Sequence, residues 1–573
     1  MEFLAFAKQQ CAQQQAASAE QHLLAQFQRQ PQPPSADFGL ALALCNLHLD
    51  RLDQAQACLD RVLLDHGDSV ELLQLALACE RRRNEGSCSP ALRQRLQAFL
   101  ADQTIALEWL QLLQANLDLN AVINWAQHLL SEWPQHPAVL HALRNLAWDL
   151  HDSSLMAQLP APSSLLWQGR CQLLQGDYQA AESSLRSCLM PGSLPPEEQL
   201  QALHSLIFQL LPAQVESLLE PHLPQLAGCP NWAWTFGRAL LAAGAWRQGW
   251  QLYEQRYYSL DRAQIIPPGL PLLGLERLQS QMAIKGSAVL LYGEQGIGDT
   301  LMFASMLTDL EADLNGSAGS LQLLLPPRLV PLMGACFPHL PVAASYPASL
   351  LPSLDVACSI GSLGLLYRPD QSSFAGRKPH LNLPPELVEP WRQRLADLGP
   401  GLKIGIAWQG GGTLANRMQR SLALEQLLPI LQQPGCHWLN LQYSHNPAEL
   451  AAIEQNHGIK VHHFAGTGSD LLATAGLTAA LDLVITVQQT ALHIAAGLGI
   501  PTWGLLPYRA EWRYGLSGPH MAWYQSVRLF RLQQRGNWAG LIETVAQRLA
   551  QRLAQRLAQQ NGLIPSSFDG NCS

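Results

Sequence analysis

The chain has 573 residues, too many for one hydrophobic core, so roughly two to four domains are expected. Only 14% of residues are charged, and the formal net charge of −8 argues against nucleic acid or an anionic membrane surface as the main partner. The twelve cysteines are scattered with no CxxC-type pair, which excludes a zinc or dithiol motif and fits buried thiols in a reducing compartment.

No signal-peptide pattern opens the sequence and no apolar run approaches the about 18 residues of a membrane span, so a cytoplasmic protein is expected. Along the first 260 residues a helical repeat is legible. Gly169 and Gly237, Gly176 and Gly244, Tyr178 and Trp246, and Ala181 and Gly249 are each 68 residues apart, twice the 34-residue period of the tetratricopeptide helix-turn-helix unit. Small residues would let the two helices of a unit close together, with an aromatic filling the gap beneath. A weaker copy runs through Ala43, Leu52, Ala55 and Val62, and another ends at Trp133-Pro134. Proline-rich breaks at Pro31–Pro34, Pro160–Pro162 and Pro195–Pro196 interrupt the stacking. Residues 1–260 are therefore expected to form an α-solenoid whose concave groove docks a protein, a plain scaffold or dimerisation arm being the alternative.

Pro267, Pro268, Gly269 and Pro271 mark a linker over 261–283. Beyond it strands alternate with helices: strand 288–292, helix 300–311, strand Leu321–Leu325, a helix opened by Pro326-Pro327, and a strand from Asp355. A second series runs strand Leu402–Trp408, helix Leu424–Leu431, strand Trp438–Gln442, helix Asp470–Ala480, strand Leu483–Val487, helix Thr490–Leu498 and strand Thr502–Leu506. This spacing predicts two doubly wound parallel sheets, over 284–395 and 396–560, with a ligand cleft between them. A long helix near the end, with Gln-Arg-Leu-Ala repeated from Gln547, should pack along the second sheet, its leucine stripe winding by about 40° every four residues. Residues 561–573 read as a loose tail.

The stretch Ser287-Ala-Val-Leu-Leu-Tyr-Gly-Glu-Gln-Gly-Ile-Gly-Asp-Thr300 puts Gly293, Gly296 and Gly298 in a turn at the carboxyl end of the first strand. Three glycines there are expected to take positive φ and let a ligand approach, and the helix that follows offers unpaired N–H groups. Gly293 and Gly298 have P-loop spacing, but Asp299 stands where that loop needs lysine. A dinucleotide fingerprint fails because Leu301 occupies its third glycine position. Asp299 is left as a carboxylate in a substrate turn or, more plainly, as a helix cap.

Three further stretches fall at strand ends. Trp408 to Ser421 is a glycine loop carrying Arg417 and Arg420 ahead of a helix, and guanidinium forks suit diphosphate oxygens. Gln488, Gln489, Thr490 and His493 span a strand end and the first turn of a helix. Pro507 to Arg513 is a polar aromatic loop holding Glu511. Singly these read as a solvated arginine pair, a core-facing histidine and a surface loop; at the ends of consecutive αβ units they argue together for one site.

The motifs Gly293-Glu-Gln-Gly-Ile-Gly-Asp-Thr300, Gly405-Ile-Ala-Trp408, Asp482–Val487 with His493–Gly499, and Pro501-Thr-Trp503 to Trp512-Arg513 occur in that order. Together they resemble bacterial glycosyltransferases carrying tetratricopeptide repeats, whose catalytic half is similar to the lipopolysaccharide heptosyltransferases and, more distantly, to protein O-GlcNAc transferases. The resemblance runs from Trp167 to Arg531. It implies a GT-B fold of two Rossmann-like halves behind the solenoid, a nucleotide-sugar donor held mainly by the second half, and no metal or other cofactor. It further implies inverting transfer of a hexosyl or heptosyl group to an acceptor hydroxyl, with Asp299 as base and Arg420, with Arg417, on the donor phosphates. The substrate and donor contacts it implies are Gln295, Gly296, Gly298, Trp408, Gln409, Gln442, Gln488, Gln489, Thr490 and His493. The expected acceptor is a protein docked by the repeats, a saccharide being the alternative. Heptosyltransferases usually carry an Asp-Thr pair where this chain has Gln488-Gln489, which can bond a sugar or ribose hydroxyl but brings no negative charge. A catalytically silent docking protein whose α/β half senses a nucleotide sugar is the rival reading.

Overall fold

The computed structural model describes residues 2–12, 15–29, 35–83, 88–210, 214–226, 228–258, 286–314, 320–345, 353–443, 447–533 and 537–560. The break at Pro31–Pro34, the linker over 261–283 and the tail over 561–573 lie outside the described residues. The chain divides into two compact units, one of Met1–Pro160 with Gly412–Ala415, the other of Ala161–Gly411 with Asn416–Ser573.

Met1–Pro160 is helical where it is described. Helices Ala36–His48 and Leu52–His66 lie close together because Gly39 faces Val62: a Cβ on Gly39 would stand 2.3 Å from the valine Cγ2. Leu40, Ala43 and Leu47 from the first and Ala55, Leu59 and Val62 from the second share one buried cluster. Helix starts are capped as composition demands: Asp102 and Asp118 each accept hydrogen bonds from backbone N–H groups of the first turn.

Two helix pairs open the second unit, Leu165–Gln175 with Tyr178–Cys188 and Pro230–Ala243 with Trp246–Tyr253. Residues 68 apart in sequence hold equivalent places in them. Gly176 and Gly244 end the first helix of each pair in the left-handed conformation, at φ 84° and 87°. Gly169 and Gly237 sit at the helix crossings, where a Cβ would lie 2.6 Å from Leu185 Cγ and 2.7 Å from the Tyr253 backbone nitrogen.

Two sheets follow. Strands β1 (Ala288–Tyr292), β2 (Ser320–Leu324), β3 (Val342–Ala343) and β4 (Val356–Ser359) form a parallel sheet in the order β3-β2-β1-β4. Strands β5 (Leu402–Ala407), β6 (Cys436–Asn440), β7 (Val461–His462), β8 (Leu483–Val487), β9 (Thr502–Leu506), β10 (His520–Met521) and β11 (Tyr524–Arg531) form a second, in the order β10-β11-β9-β8-β5-β6-β7. It is parallel except where β10 runs against β11. Every residue of β5, β8 and β9 is buried, as covered faces on a parallel sheet require. The strand order reverses between β1 and β4 and again between β5 and β8, so each sheet has a switch-point crevice at its carboxyl edge. Strand β11, absent from the sequence-based expectations, extends the second sheet beyond β9; its Val527 and Leu529 alternate with Arg528 and Phe530. Helix Trp538–Gln560 lays Trp538, Leu541, Ile542, Val545 and Leu549 into the same core as β5 and β8, while Leu557 is 58% exposed: the winding stripe has by then rotated off the sheet.

The last helix pair is locked to the first sheet. Trp250 is wholly buried, donates from its indole N–H to the Arg368 carbonyl at 2.8 Å, and has Phe303, Trp512 and Trp523 around it at centroid distances of 6.3, 5.7 and 6.3 Å. Arg256, just after that helix, is equally buried between Glu254 and Glu294. Chains that begin at residue 161 should therefore stay folded, whereas chains that begin at residue 261 lose Trp250 and Arg256 and should aggregate. Size-exclusion chromatography and circular dichroism of the two truncations check this; a soluble, helical product starting at 261 would refute it.

Candidate functional site

The turn after β1 departs from the glycine expectation. Gly293, Gly296 and Gly298 are not among the positive-φ glycines; the left-handed residue is Gln295, at φ 59°. A glutamine there is strained by about 1 kcal/mol or more, and its amide donates to the Tyr253 hydroxyl from the last helix pair. The glycines serve close approach instead: a Cβ on Gly298 would meet the His493 ring at 2.8 Å.

Helix Ile297–Phe303 starts at Gly296, and Asp299 is its third residue. Asp299 Oδ2 accepts from the Gly296 N–H at 3.3 Å, so the plain capping role is real. Its other oxygen, Oδ1, pairs with Arg513 Nη2, which arrives from the segment after β9. Both side chains are mostly buried, at 13% and 12% exposure, so the pair is only weakly screened. Burial works against the Arg513 charge, but Asp299 and Glu511 outweigh it and hold the guanidinium above its ordinary pKa.

Glu511 lies between two cations, its Oε2 4.0 Å from Arg513 Nη1 and its Oε1 3.9 Å from Arg420 Nη1. Arg420 ends helix Leu414–Arg420, where a loop was expected, with Arg417 one turn earlier. Its stem lies on the glycine loop after β5: a Cβ on Gly410 would stand 2.7 Å from Arg420 Cγ, and Arg420 Nη2 donates to the Gly411 carbonyl. A continuous chain of alternating charge, Asp299–Arg513–Glu511–Arg420, thus runs from the end of β1 to the end of β5.

The glutamines gather at the switch point of the second sheet. Gln442, in the turn after β6, is 1% exposed; its Oε1 accepts from the Trp408 and Gln409 N–H groups at 3.1 and 3.0 Å, and its amide donates to the Gln409 carbonyl at 3.1 Å. Gln489 Nε2 reaches the same Gln442 oxygen at 3.5 Å, and Gln488 Oε1 accepts from the Glu511 N–H at 3.1 Å. Thr490 opens helix Thr490–Gly497, whose first N–H groups have no side-chain cap. Trp408 is wholly buried with its indole N–H on Glu449, so only its backbone faces the site. His493 is 3% exposed, its Nδ1 3.2 Å from the Tyr524 hydroxyl and its Nε2 3.3 Å from the Tyr514 hydroxyl. Burial first, and the Arg513 charge second, push its pKa well below the usual histidine range, so a neutral ring props the arginine's neighbours.

Beside Arg513 and Tyr514 opens a cavity of about 990 Å³, walled by Gly244 and Trp246, by Gln371 and Phe374, and by residues from Gly515 to Gln525. Among the described residues no group of three or more His, Cys, Asp or Glu could hold a metal ion, and no helix is long and apolar enough to cross a membrane. The sequence placed Glu511 and Arg513 in a candidate site loop without a role for either side chain, and singled out neither Arg256 nor Glu294. The signal for Glu511 and Arg513 was charge in a loop following an apolar strand.

No family profile matches the chain. Protein FlbA of Caulobacter vibrioides is 31% identical over 333 residues, 55% of this chain and 54% of that protein. The chain thus spans about half the length of the curated relative it matches. A glycosyl transferase family 9 structure from Veillonella parvula aligns with 48% of this chain and 98% of its own, at 12% identity and TM-score 0.34. The E. coli ADP-heptose lps heptosyltransferase II aligns over 48% and 99%, at 16% identity and TM-score 0.34. A Thermobaculum terrenum O-GlcNAc transferase aligns over 75% and 92%, at 14% identity and TM-score 0.25.

Proposed function

We propose that the chain is an inverting glycosyltransferase of GT-B architecture that moves a sugar from a nucleotide-sugar donor to an acceptor hydroxyl without a catalytic metal. The observation that carries this reading is the charge chain: a carboxylate at the carboxyl end of β1 and an arginine at the carboxyl end of β5 belong to one constellation. Asp299 takes the proton of the acceptor hydroxyl as its oxygen attacks the anomeric carbon, from the face opposite the diphosphate. The bond from that carbon to the diphosphate breaks, and Arg420, with Arg417 nearby and the uncapped amides at Thr490, meets the charge of the departing group. Gln409 and Gln489 offer the donor uncharged hydrogen bonds, which fits a sugar or ribose hydroxyl better than a cation. The helices before residue 260 are read as tetratricopeptide repeats that present a protein acceptor.

Arg420→Ala tests the donor side. Nucleotide-sugar and free nucleoside diphosphate should both bind more weakly, by about 1.5–3 kcal/mol for a charged hydrogen-bonded contact, while the bare nucleoside should bind as before. Calorimetry with the three ligands separates the outcomes, and unchanged diphosphate affinity would remove Arg420 from the site.

The rival, a silent nucleotide-sugar sensor, draws support from Asp299 itself: both of its oxygens are engaged, by Gly296 and by Arg513. Donor binding with no transfer to any acceptor would favour it.

A further inference from the structure

Resting on that reading of the site, we propose that Glu511 and Arg513 form a switch that keeps Asp299 covered until a diphosphate engages Arg420. Asp299 is covered in this arrangement: Arg513 holds its Oδ1 and the Gly296 N–H its Oδ2, so neither oxygen is open to an acceptor hydroxyl. Arg513 also touches a second carboxylate, Glu511, at 4.0 Å, and Glu511 is shared with Arg420 at 3.9 Å. Two carboxylates and two guanidiniums therefore alternate, and the inner pair each have a choice of partner.

A diphosphate drawn to Arg420 brings more negative charge than Glu511 and accepts bidentately, so Arg420 turns to it. Glu511, 29% exposed, then keeps Arg513 as its other ion-pair partner. The Glu511 charge that Arg420 no longer meets draws Arg513 toward Glu511 and off Asp299. The base is uncovered only when the leaving group is in place. A second observation points the same way: Arg420 Nε and Arg513 Nε are both buried and make no hydrogen bond among the described residues, so neither fork is saturated in this arrangement. Glu511 is meanwhile fixed at its backbone, since its N–H donates to Gln488, and it can change partner without moving its chain.

The switch predicts a linkage readable without knowing donor, acceptor or activity. Inorganic pyrophosphate serves as the probe, titrated calorimetrically into the full chain. Asp299→Asn releases Arg513 to Glu511 in advance, so pyrophosphate should bind about 5-fold tighter or more, the low end of ordinary coupling between sites. Arg513→Gln leaves Glu511 to hold Arg420 alone, so binding should weaken by a similar factor. In a Glu511→Gln background both effects should vanish, and in Glu511→Asp they should return in part. A general electrostatic effect of the lost charges would persist in the Glu511→Gln background, and that result would overturn the switch. So would unchanged pyrophosphate affinity in both single variants. Pyrophosphate that binds neither the parent nor any variant would overturn the diphosphate reading of Arg420 itself, a different failure from binding without linkage.

Discussion

Turnover should fall by about 10²–10⁴-fold when Asp299 is replaced by Asn, the usual worth of a positioned general base. Asparagine is nearly isosteric, and its carbonyl can still accept from the Gly296 N–H, so the start of helix Ile297–Phe303 is kept. What is lost is the proton acceptor and the charge facing Arg513. Donor affinity should not fall, because Asp299 belongs to the first sheet and the expected donor contacts to the second. Initial rates of sugar transfer, or of slow donor hydrolysis, are the measurement, with Asp299→Glu as a companion that restores a carboxylate one methylene out of place. A variant with Asn that turns over near the parent rate would end the assignment of Asp299 as base.

Arg256→Leu is expected to cost about 3–5 kcal/mol of stability, as breaking a buried ion pair from one side does. Arg256 Nε donates to Glu294 Oε2 and Nη1 to Glu254 Oε1, both at 2.6 Å, and Nη2 donates to Ser362 Oγ at 2.7 Å. Arginine and both carboxylates are at most 5% exposed. Leucine would strand the two glutamates without a cation. The loss should depend on pH. Burial already raises the Glu254 pKa, with Arg256 the main opposing influence; remove Arg256 and the rise is greater. An acid whose folded pKa stands above its unfolded value of about 4.3 is held best when protonated, so its drag on stability grows as pH rises through the folded value. The deficit of the variant should therefore be larger near about pH 8 than near about pH 5 in urea unfolding. Neutralising all three, Arg256→Met with Glu254→Gln and Glu294→Gln, should recover most of the loss. A pH-independent deficit would mean that the cluster acts through packing and not through charge.

Much of the sheet region was written locally. Largely apolar runs of five or six residues place β1, β5, β8 and β9, because a strand covered on both faces is built mainly from apolar side chains. The place of Asp299 at a helix start was legible too, since strand, turn and helix follow one another within fourteen residues, from Ser287 to Thr300. The 68-residue spacing likewise marks where helices cross, since close crossings need small residues at fixed intervals. β11 escaped notice because glutamine, serine and arginine interrupt its apolar positions.

Tertiary structure decided the rest. No local pattern brings Arg513 to Asp299 across 214 residues, or Arg256 to Glu294 across 38. Those partners are chosen by which charges share a buried space once the chain has closed, and an isolated sequence position does not record its surroundings. The same holds for His493 and Trp408, which read as candidate contacts by their place at strand ends and are held in the core by Tyr514, Tyr524 and Glu449. Sequence set the period, the strands and the turn that carries Asp299. Folding set which charge that carboxylate meets, because a buried charge takes the nearest opposite one whatever its distance along the chain.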